Sequence, residues 1–350
     1  MRRITSHKAI LLLGWLVLLL LAPLGCRKTG RAHLNPSAPL KDPPMNTVSR
    51  PAGIVISIVP KSLDNPVFLD AKEESERIGK ELGIKIEWLA PMQVDAAEQE
   101  RIMANLIRRK VNGIIISCID SDRIAKQIDK AVAAGIKVAT FDSDSPHSKR
   151  LFYCGTNNYL AGKACGAALI KVLTAKHKAD RENRLLIMTG SLASDNLNER
   201  IRGFQDAVRG RLRLKLVPTL ACDDDSSKAG ELLEEFIRNN PDLDAFLSVG
   251  GWPLLVPPDS MPGFQLWCRR GGTSIVIDTF YPNLIAAKKG MADALVGQDF
   301  IKMGRLSVFN LYRAIQGQKS GAGFIDTGLE IGDVNNYDQL LQHKKPWEIK

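Results

Sequence analysis

The chain has 350 residues, 45% of them hydrophobic, which is enough for about two globular domains with cores of their own. Its net charge of +10 invites a nucleic-acid reading, yet residues 1–50 hold eight of the 48 Lys and Arg and one of the 38 acids, leaving 40 bases against 37 acids beyond them. Binding DNA or RNA needs clustered positive charge that releases counterions, so this near-balance argues against a nucleic-acid partner.

The chain opens with the three parts of an export signal. Arg2, Arg3 and Lys8 are followed by an apolar run over residues 9–21, broken only by Gly14, and then by Leu-Ala-Pro-Leu-Gly-Cys at 21–26. The run is shorter than the roughly 20 residues of a membrane span. Its end resembles a bacterial lipoprotein processing site, with Gly25 as the small residue before the lipidated Cys26. Pro23 stands where that pattern usually has Leu, and a plain secretory signal cut nearby is the alternative. Residues 27–50, rich in Pro, Asn, Ser and Thr and without periodicity, read as a flexible tether.

From residue 52 onward, short β-branched runs alternate with amphipathic stretches of helical length. Strands are predicted at 53–60, 84–90, 113–117 and 136–142, with helices over 66–82, 95–110 and 122–134 between them. The apolar runs at 53–59 and 113–117 are continuous, which suits strands buried on both faces of a parallel sheet. A second set begins after LFYCGTNN (151–158). It has helices at 158–176, 195–209 and 227–239, and strands at 185–190, 212–218, 244–251, 273–278 and 293–298. Residues 252–272 break the rhythm, because four prolines in WPLLVPPDSMPGFQ forbid one regular helix. They are expected to form a surface insertion or a loop reaching toward a cleft. A helix at 300–316 and one short strand near 323–332 complete the chain. Such strand–helix repetition predicts two α/β lobes with parallel sheets, and ligands sit beyond the carboxyl ends of strands in sheets of this kind.

Cys118, Cys154, Cys165, Cys222 and Cys268 form no C-x-x-C pair and no zinc spacing. The first three read as small buried hydrophobes, while a Cys222–Cys268 disulfide stays open. Asp223–Asp225 lacks the Gly and Glu spacing of a calcium loop and reads as a helix start. No metal and no cofactor is expected. Neither a P-loop, nor G-x-S-x-G, nor H-E-x-x-H is present, and the five His are scattered, so the reading is not an enzyme.

SLDNPVF (62–68), VNGIIISCIDSD (111–122), AVAAGIKVATFDSDSP (131–146), GTNNYLAGKACG (155–166), NERIRGF (198–204) and SIVIDTF (274–280) occur in this order. Together they resemble the type 1 periplasmic binding proteins of the ribose-binding kind, the capture subunits of ATP-driven sugar importers. The resemblance covers about residues 52–335. It implies a chain that crosses between lobes three times: residues 51–156 plus 299–326 in an N-lobe, and 157–298 plus 327–350 in a C-lobe. Hinges would fall near Thr156, Gln298 and Thr327.

The resemblance also implies ligand-contacting residues. Asn65 would offer its amide to ligand hydroxyls, and Phe68 an aromatic wall, with Val67 where a second ring often stands. Asp142 and Asp278 would accept hydrogen bonds from hydroxyls, Arg200 would serve two oxygens with its planar fork, and Gln298 would be a hinge amide. Ser117 sits at a strand end where a polar contact is common. Three departures stand out. Ser143 replaces an Arg of ribose binders, Asp224 falls where relatives often have an aromatic, and Gly250 falls where many have a binding Asn. Trp252 would either restore a stacking surface or pack within the Pro-rich segment. Without the family, Asn65-Pro66 reads first as a turn and Arg200 first as a surface partner of Glu199 or Asp195, while Asp142–Asp144 reads equally as a helix cap and turn.

The expected protein is thus a monomeric, extracytoplasmic solute-binding protein. It would be anchored to a membrane by lipid, close two lobes around a monosaccharide or similar polyol, and deliver it to the permease of an ABC importer. A ligand-sensing subunit for a membrane signalling protein is the alternative. A sugar-responsive repressor would need an N-terminal helix-turn-helix in place of the export signal.

Overall fold

The computed structural model describes residues 53–321, 323–344 and 346, so the expected signal, Cys26 and tether lie outside the described residues. Among the described residues no helix is long and apolar enough to cross a membrane.

The first part runs β1 (Val55–Val59), α1 (Leu69–Leu82), β2 (Lys85–Trp88), α2 (Ala96–Arg109), β3 (Gly113–Ile116), α3 (Ser121–Ala133), β4 (Lys137–Phe141) and β5 (Phe152–Gly155). The second runs α4 (Asn158–Ala175), β6 (Glu182–Thr189), α5 (Asp195–Val208), β7 (Arg213–Leu216), β8 (Leu220–Ala221), α6 (Ser226–Asn239) and β9 (Ala245–Ser248). It continues with α7 (Pro262–Arg269), β10 (Thr273–Ile277), α8 (Tyr281–Lys288) and β11 (Ala294–Gln298). The chain then adds α9 (Phe300–Ile315), β12 (Gly323–Asp326), β13 (Leu329–Asp333) and α10 (Tyr337–Leu341).

Two sheets result. One has the order β2-β1-β3-β4-β5-β12 and is parallel throughout. The other has the order β7-β6-β9-β10-β11-β13, with β8 beside β6 and only β13 antiparallel. The continuous apolar runs have the anticipated cause. Along β1, Ile56 and Ile58 pack toward α1 and α9, while Val55 and Val59 pack on the opposite face with Met103 and Leu106 of α2. Burying each such side chain contributes roughly 1.5–3 kcal/mol, so a strand with helices on both faces has no polar alternation.

Helix starts follow local chemistry. The Asp95, Asp120, Asn157, Asp225 and Asp299 side chains accept from free N–H groups in the first turns of α2, α3, α4, α6 and α9. Asp225 therefore behaves as the helix start read from the sequence.

Three stretches differ from expectation. The single strand near 323–332 is two strands: β12 pairs with β5 in the first sheet, and β13 pairs with β11 in the second. Residues 252–272 are not a surface insertion. They form short 3₁₀ turns at Trp252–Leu254 and Pro258–Ser260 and then α7, and they bury Trp252, Leu254, Met261, Phe264 and Trp267 in the core of the second sheet. Proline is tolerated there because Pro258 and Pro262 open helical turns, Pro253 is second in another and Pro257 precedes one, positions where a missing N–H would have no partner. Helix α8 was not anticipated. Its apolar side chains are buried nearly all round, which blurs the period of an amphipathic helix. The five cysteines are all free thiols, Cys222 and Cys268 included, and burial pushes those two up to about 12.

Candidate functional site

The carboxyl ends of both sheets face one small cavity of about 40 Å³. The first sheet and its loops contribute Asn65, Phe68 and Asp142, and the second contributes Arg200, Trp252, Asp278 and Gln298. Among the residues anticipated from sequence only Ser117 lies outside this lining. It stands behind Asp142, its Oγ donating to Asp142 Oδ2 over 2.6 Å.

Each central strand presents a carboxylate as it ends. Asp142 follows β4 and Asp278 follows β10, and both are in the left-handed region, with φ of 57° and 89°. Aspartate tolerates that conformation better than most residues, and such strain gathers at functional positions. Both side chains are buried. Asp278 Oδ1 accepts from Gln298 Nε2 (2.8 Å) and its Oδ2 from the Gly251 N–H (2.9 Å). Burial pushes the Asp278 carboxyl above its usual range, against the opposing pull of Arg200 and of these hydrogen bonds.

Arg200 reaches the cavity because two helices touch almost backbone to backbone. A Cβ on Gly162 of α4 would lie 1.9 Å from the Arg200 carbonyl oxygen, and one on Gly203 of α5 would lie 2.0 Å from the Tyr159 carbonyl oxygen. Glycine at both places lets α5 lie against α4 and turns Arg200 inward rather than toward solvent. Its guanidinium donates to Asn158 Oδ1 (2.8 Å), the Val249 carbonyl (2.8 Å) and Gln298 Oε1 (2.5 Å). The surface pairing is excluded as well: Glu199 pairs with Arg202, and Asp195 accepts from Ser121.

Asn65 is both a turn residue and a lining residue. Its Oδ1 accepts from the Val67 N–H over 3.2 Å, which leaves its amide N–H groups for the cavity. Phe68 is fixed edge-on between Phe141 and Phe300, at ring distances of 6.0 and 5.8 Å. Trp252 meets both expectations at once, being buried in the core and lining the cavity. Its indole lies on a glycine floor: a Cβ on Gly250 would come within 2.4 Å of the ring, and one on Gly190 within 2.9 Å. Gly250 thus departs from the usual Asn because Trp252 fills the space a longer side chain would need.

Sequence reasoning missed Lys61, Asn196 and Asp224, all of which line the same cavity. Lys61 precedes the first motif by one residue. Asp224 was passed over as part of a helix start, yet with φ of 58° it turns away from the helix, and its Oδ1 sits over Gly190. Among the contacts that cross between the sheets' halves, Ser121 Oγ donates to Asp195 Oδ2 (2.5 Å), Ser143 Oγ to Asn196 Oδ1 (3.4 Å), and Phe280 packs on Phe300 at 5.5 Å. Ser143, found where ribose binders carry Arg, therefore bridges halves. Among the described residues no group of three or more His, Cys, Asp or Glu is placed to hold a metal ion.

Such a lining offers acceptors, donors and aromatic surface, and is suited to holding a small polar molecule.

A family model described as a periplasmic binding protein domain matches residues 56–319. Among similar curated proteins, the ribose import binding protein RbsB of Bacillus subtilis is 24% identical over 190 residues, covering 54% of this chain and 59% of that protein. The protein of the same name from Escherichia coli is 24% identical over 190 residues, covering 54% and 62%. The chain thus spans about three fifths of the length of these relatives. Among solved structures, an ABC transporter solute-binding protein from Burkholderia graminis in complex with D-arabinose is 28% identical, with a TM-score of 0.76 over 85% of this chain and 100% of that one. The glucose-galactose binding protein GanP of Geobacillus stearothermophilus is 26% identical, with a TM-score of 0.69 over 80% and 97%.

Proposed function

Because the chain belongs to the periplasmic binding protein domain family, we propose that it captures a monosaccharide or similar polyol outside the cytoplasm and delivers it to the permease of an ABC importer. The observation that carries this reading is the convergence of Asn65, Phe68 and Asp142 from one sheet with Arg200, Trp252, Asp278 and Gln298 from the other. Carboxylates accept from adjacent hydroxyls in several directions, an indole or phenyl face covers the C–H side of a sugar, and Arg and amide groups donate to ring and hydroxyl oxygens.

The lobes in this reading are residues 51–156 plus 299–326 and residues 157–298 plus 327–350, hinged near Thr156, Gln298 and Thr327. A cavity of about 40 Å³ is far below the roughly 300–1,000 Å³ of ordinary ligand pockets. Entry of a sugar therefore requires the lobes to part, and their return encloses it. The protein acts in the periplasm or at the outer face of the cell envelope, held to a membrane by lipid on Cys26, and works as a monomer.

The test is calorimetry of residues 50–350 with neutral pentoses and hexoses. Asp142→Ala should still fold, at a cost of about 1 kcal/mol for alanine at a left-handed φ, and weaken binding by roughly ten- to a hundred-fold or more, as expected when a charged acceptor is removed from the site. Undiminished affinity would remove Asp142 from the site. Failure of every sugar to bind would remove the function.

A further inference from the structure

Two charged side chains in the cavity are left over when the hydrogen bonds are assigned. Asp142 is held by Ser117, Asp278 by Gln298 and Gly251, and Arg200 by Asn158, Val249 and Gln298. Lys61 is 6% exposed, lines the cavity, and has no hydrogen bond or ion pair to any described residue. Asp224 lines the same cavity from the other sheet, and its carboxylate is likewise without a hydrogen bond or ion pair among the described residues. The two do not touch each other. Asp224 is partly exposed as a residue, yet its carboxyl is deep enough that burial pushes it above its usual range, while Lys61 pulls it the other way.

An ammonium and a carboxylate that line one cavity without a partner, each held partly out of water, point to a partner that arrives later. Its chemistry follows from the pair. It must accept from Lys61 and donate to Asp224. It must also tolerate a lining that holds three carboxylates, Asp142, Asp224 and Asp278, against two cations. An added anion would enter beside three carboxylates, met only by Lys61 and by the two N–H groups that Arg200 leaves unused, so negative charge would predominate. A hydroxyl is neutral, accepts through its lone pairs and donates through its proton.

We infer that Lys61 and Asp224 are a specificity-determining couple that grips one ligand hydroxyl from opposite sides of the cleft, so that the protein selects neutral polyols carrying that hydroxyl and rejects sugar acids and the corresponding deoxy sugar. The inference rests on the sugar-binding reading and narrows it. Asp224 meets the ligand at an edge, because a carboxylate needs a donor and cannot cover a C–H face. Trp252, whose ring shares the Gly190 floor with the Asp224 carboxylate, supplies the face beside it.

The experiment is calorimetry with D-ribose, D-arabinose and D-allose, followed by the sugar acid and the single-deoxy derivatives of whichever binds. Lys61→Met, Asp224→Asn and the double variant are measured alongside. Each single variant should lose roughly ten- to a hundred-fold in affinity, and the double variant no more than the worse single one, because both act through one hydroxyl. One deoxy derivative should bind the parent protein as weakly as the parent sugar binds the variants. Both variants should melt no lower than the parent, since each removes a charge that has no hydrogen bond or ion pair among the described residues. Lys61→Gln and Asp224→Ser replace them if either fails to fold. Sugar acids binding as tightly as the neutral sugar, or single variants within two-fold of the parent protein, overturn the inference and leave sugar binding standing. If no neutral sugar binds the parent protein, both fall.

Discussion

Asp142 and Asp278 hold the same place in their two sheets: each is the first residue beyond the carboxyl end of a central parallel strand, and each has a positive φ, 57° and 89°. Two buried carboxylates are thus aimed at one cavity from opposite sides by the same local device, a left-handed residue that turns the chain as the strand stops. The backbone strain at both positions persists because the surrounding sheets hold it in place.

This device separates the backbone's contribution from that of the side chain. Asp278→Ala and Asp278→Gly both remove the carboxylate, but only alanine must keep a Cβ at a φ that L-residues avoid. The glycine variant should be the more stable of the two by about 1 kcal/mol in denaturant titration, with sugar binding lost in both. The reverse order would show that the strain assigned to Asp278 is absent.

Helix contact controls Arg200 from a distance. Gly162→Ala places a methyl group 1.9 Å from the Arg200 carbonyl oxygen, so α4 and α5 must separate. The variant should lose about 1–3 kcal/mol of stability, as overpacked cores do. Its affinity should also fall, because Arg200 moves with α5. A stability loss with unchanged affinity would mean that Arg200 is held by its own hydrogen bonds and not by the helix contact.

Acid should weaken binding earlier than ordinary aspartate chemistry suggests. Burial raises the Asp278 carboxyl, so it takes up a proton at a higher pH than an exposed Asp, near 3.8. A protonated Asp278 loses acceptor capacity. For stability its sign is opposite to the usual one: a raised carboxyl opposes folding above its folded pKa and ceases to do so as pH falls through that value. Glu87 behaves in the normal direction. Burial pushes it up, but hydrogen bonds from Lys85, Arg109 and Ser57 outweigh this and hold it at about 2, so its stabilisation is lost as pH drops from about 4.5 toward 2. Calorimetry from pH 7 downward should show affinity falling before the ordinary aspartate range is reached. A flat profile to about pH 4 would contradict the raised Asp278.

The glycine floor under Trp252 has an optical readout. Gly250→Ala puts a Cβ 2.4 Å from the indole and should displace it. Tryptophan emission should shift in that variant, and the shift should vanish when Trp252→Phe is added. An unchanged spectrum would show that the ring does not depend on Gly250.

Much of the architecture is legible because the forces that shape it act locally. Continuous β-branched runs report burial on two faces, and Asp at the ends of 136–142 and 273–278 reports strand ends. The two strands hidden in 323–332 could not be separated, because Thr327 and Gly328 between them change the sheet without changing the apolar pattern. Only the family resemblance placed a crossing there. The site was partly legible for the same reason. Asp142 and Arg200 sit in strings that can be matched, whereas Lys61 and Asp224 are charges whose sequence neighbours look like any solvated turn. What distinguishes them is that they lack a partner once the chain is folded, which no string of residues displays. Ser117 shows the converse: its place at a strand end was read correctly, but only the three-dimensional neighbourhood puts it behind Asp142 instead of beside it.

The division of residues 323–333 between β12 and β13 bears on how the molecule comes into being. Each sheet receives one of its two edge strands from the same short stretch, residues 323–333. Neither half can finish assembling until residues 323–333 have been synthesised, and a chain that stopped short of them would leave both halves with an unfinished border.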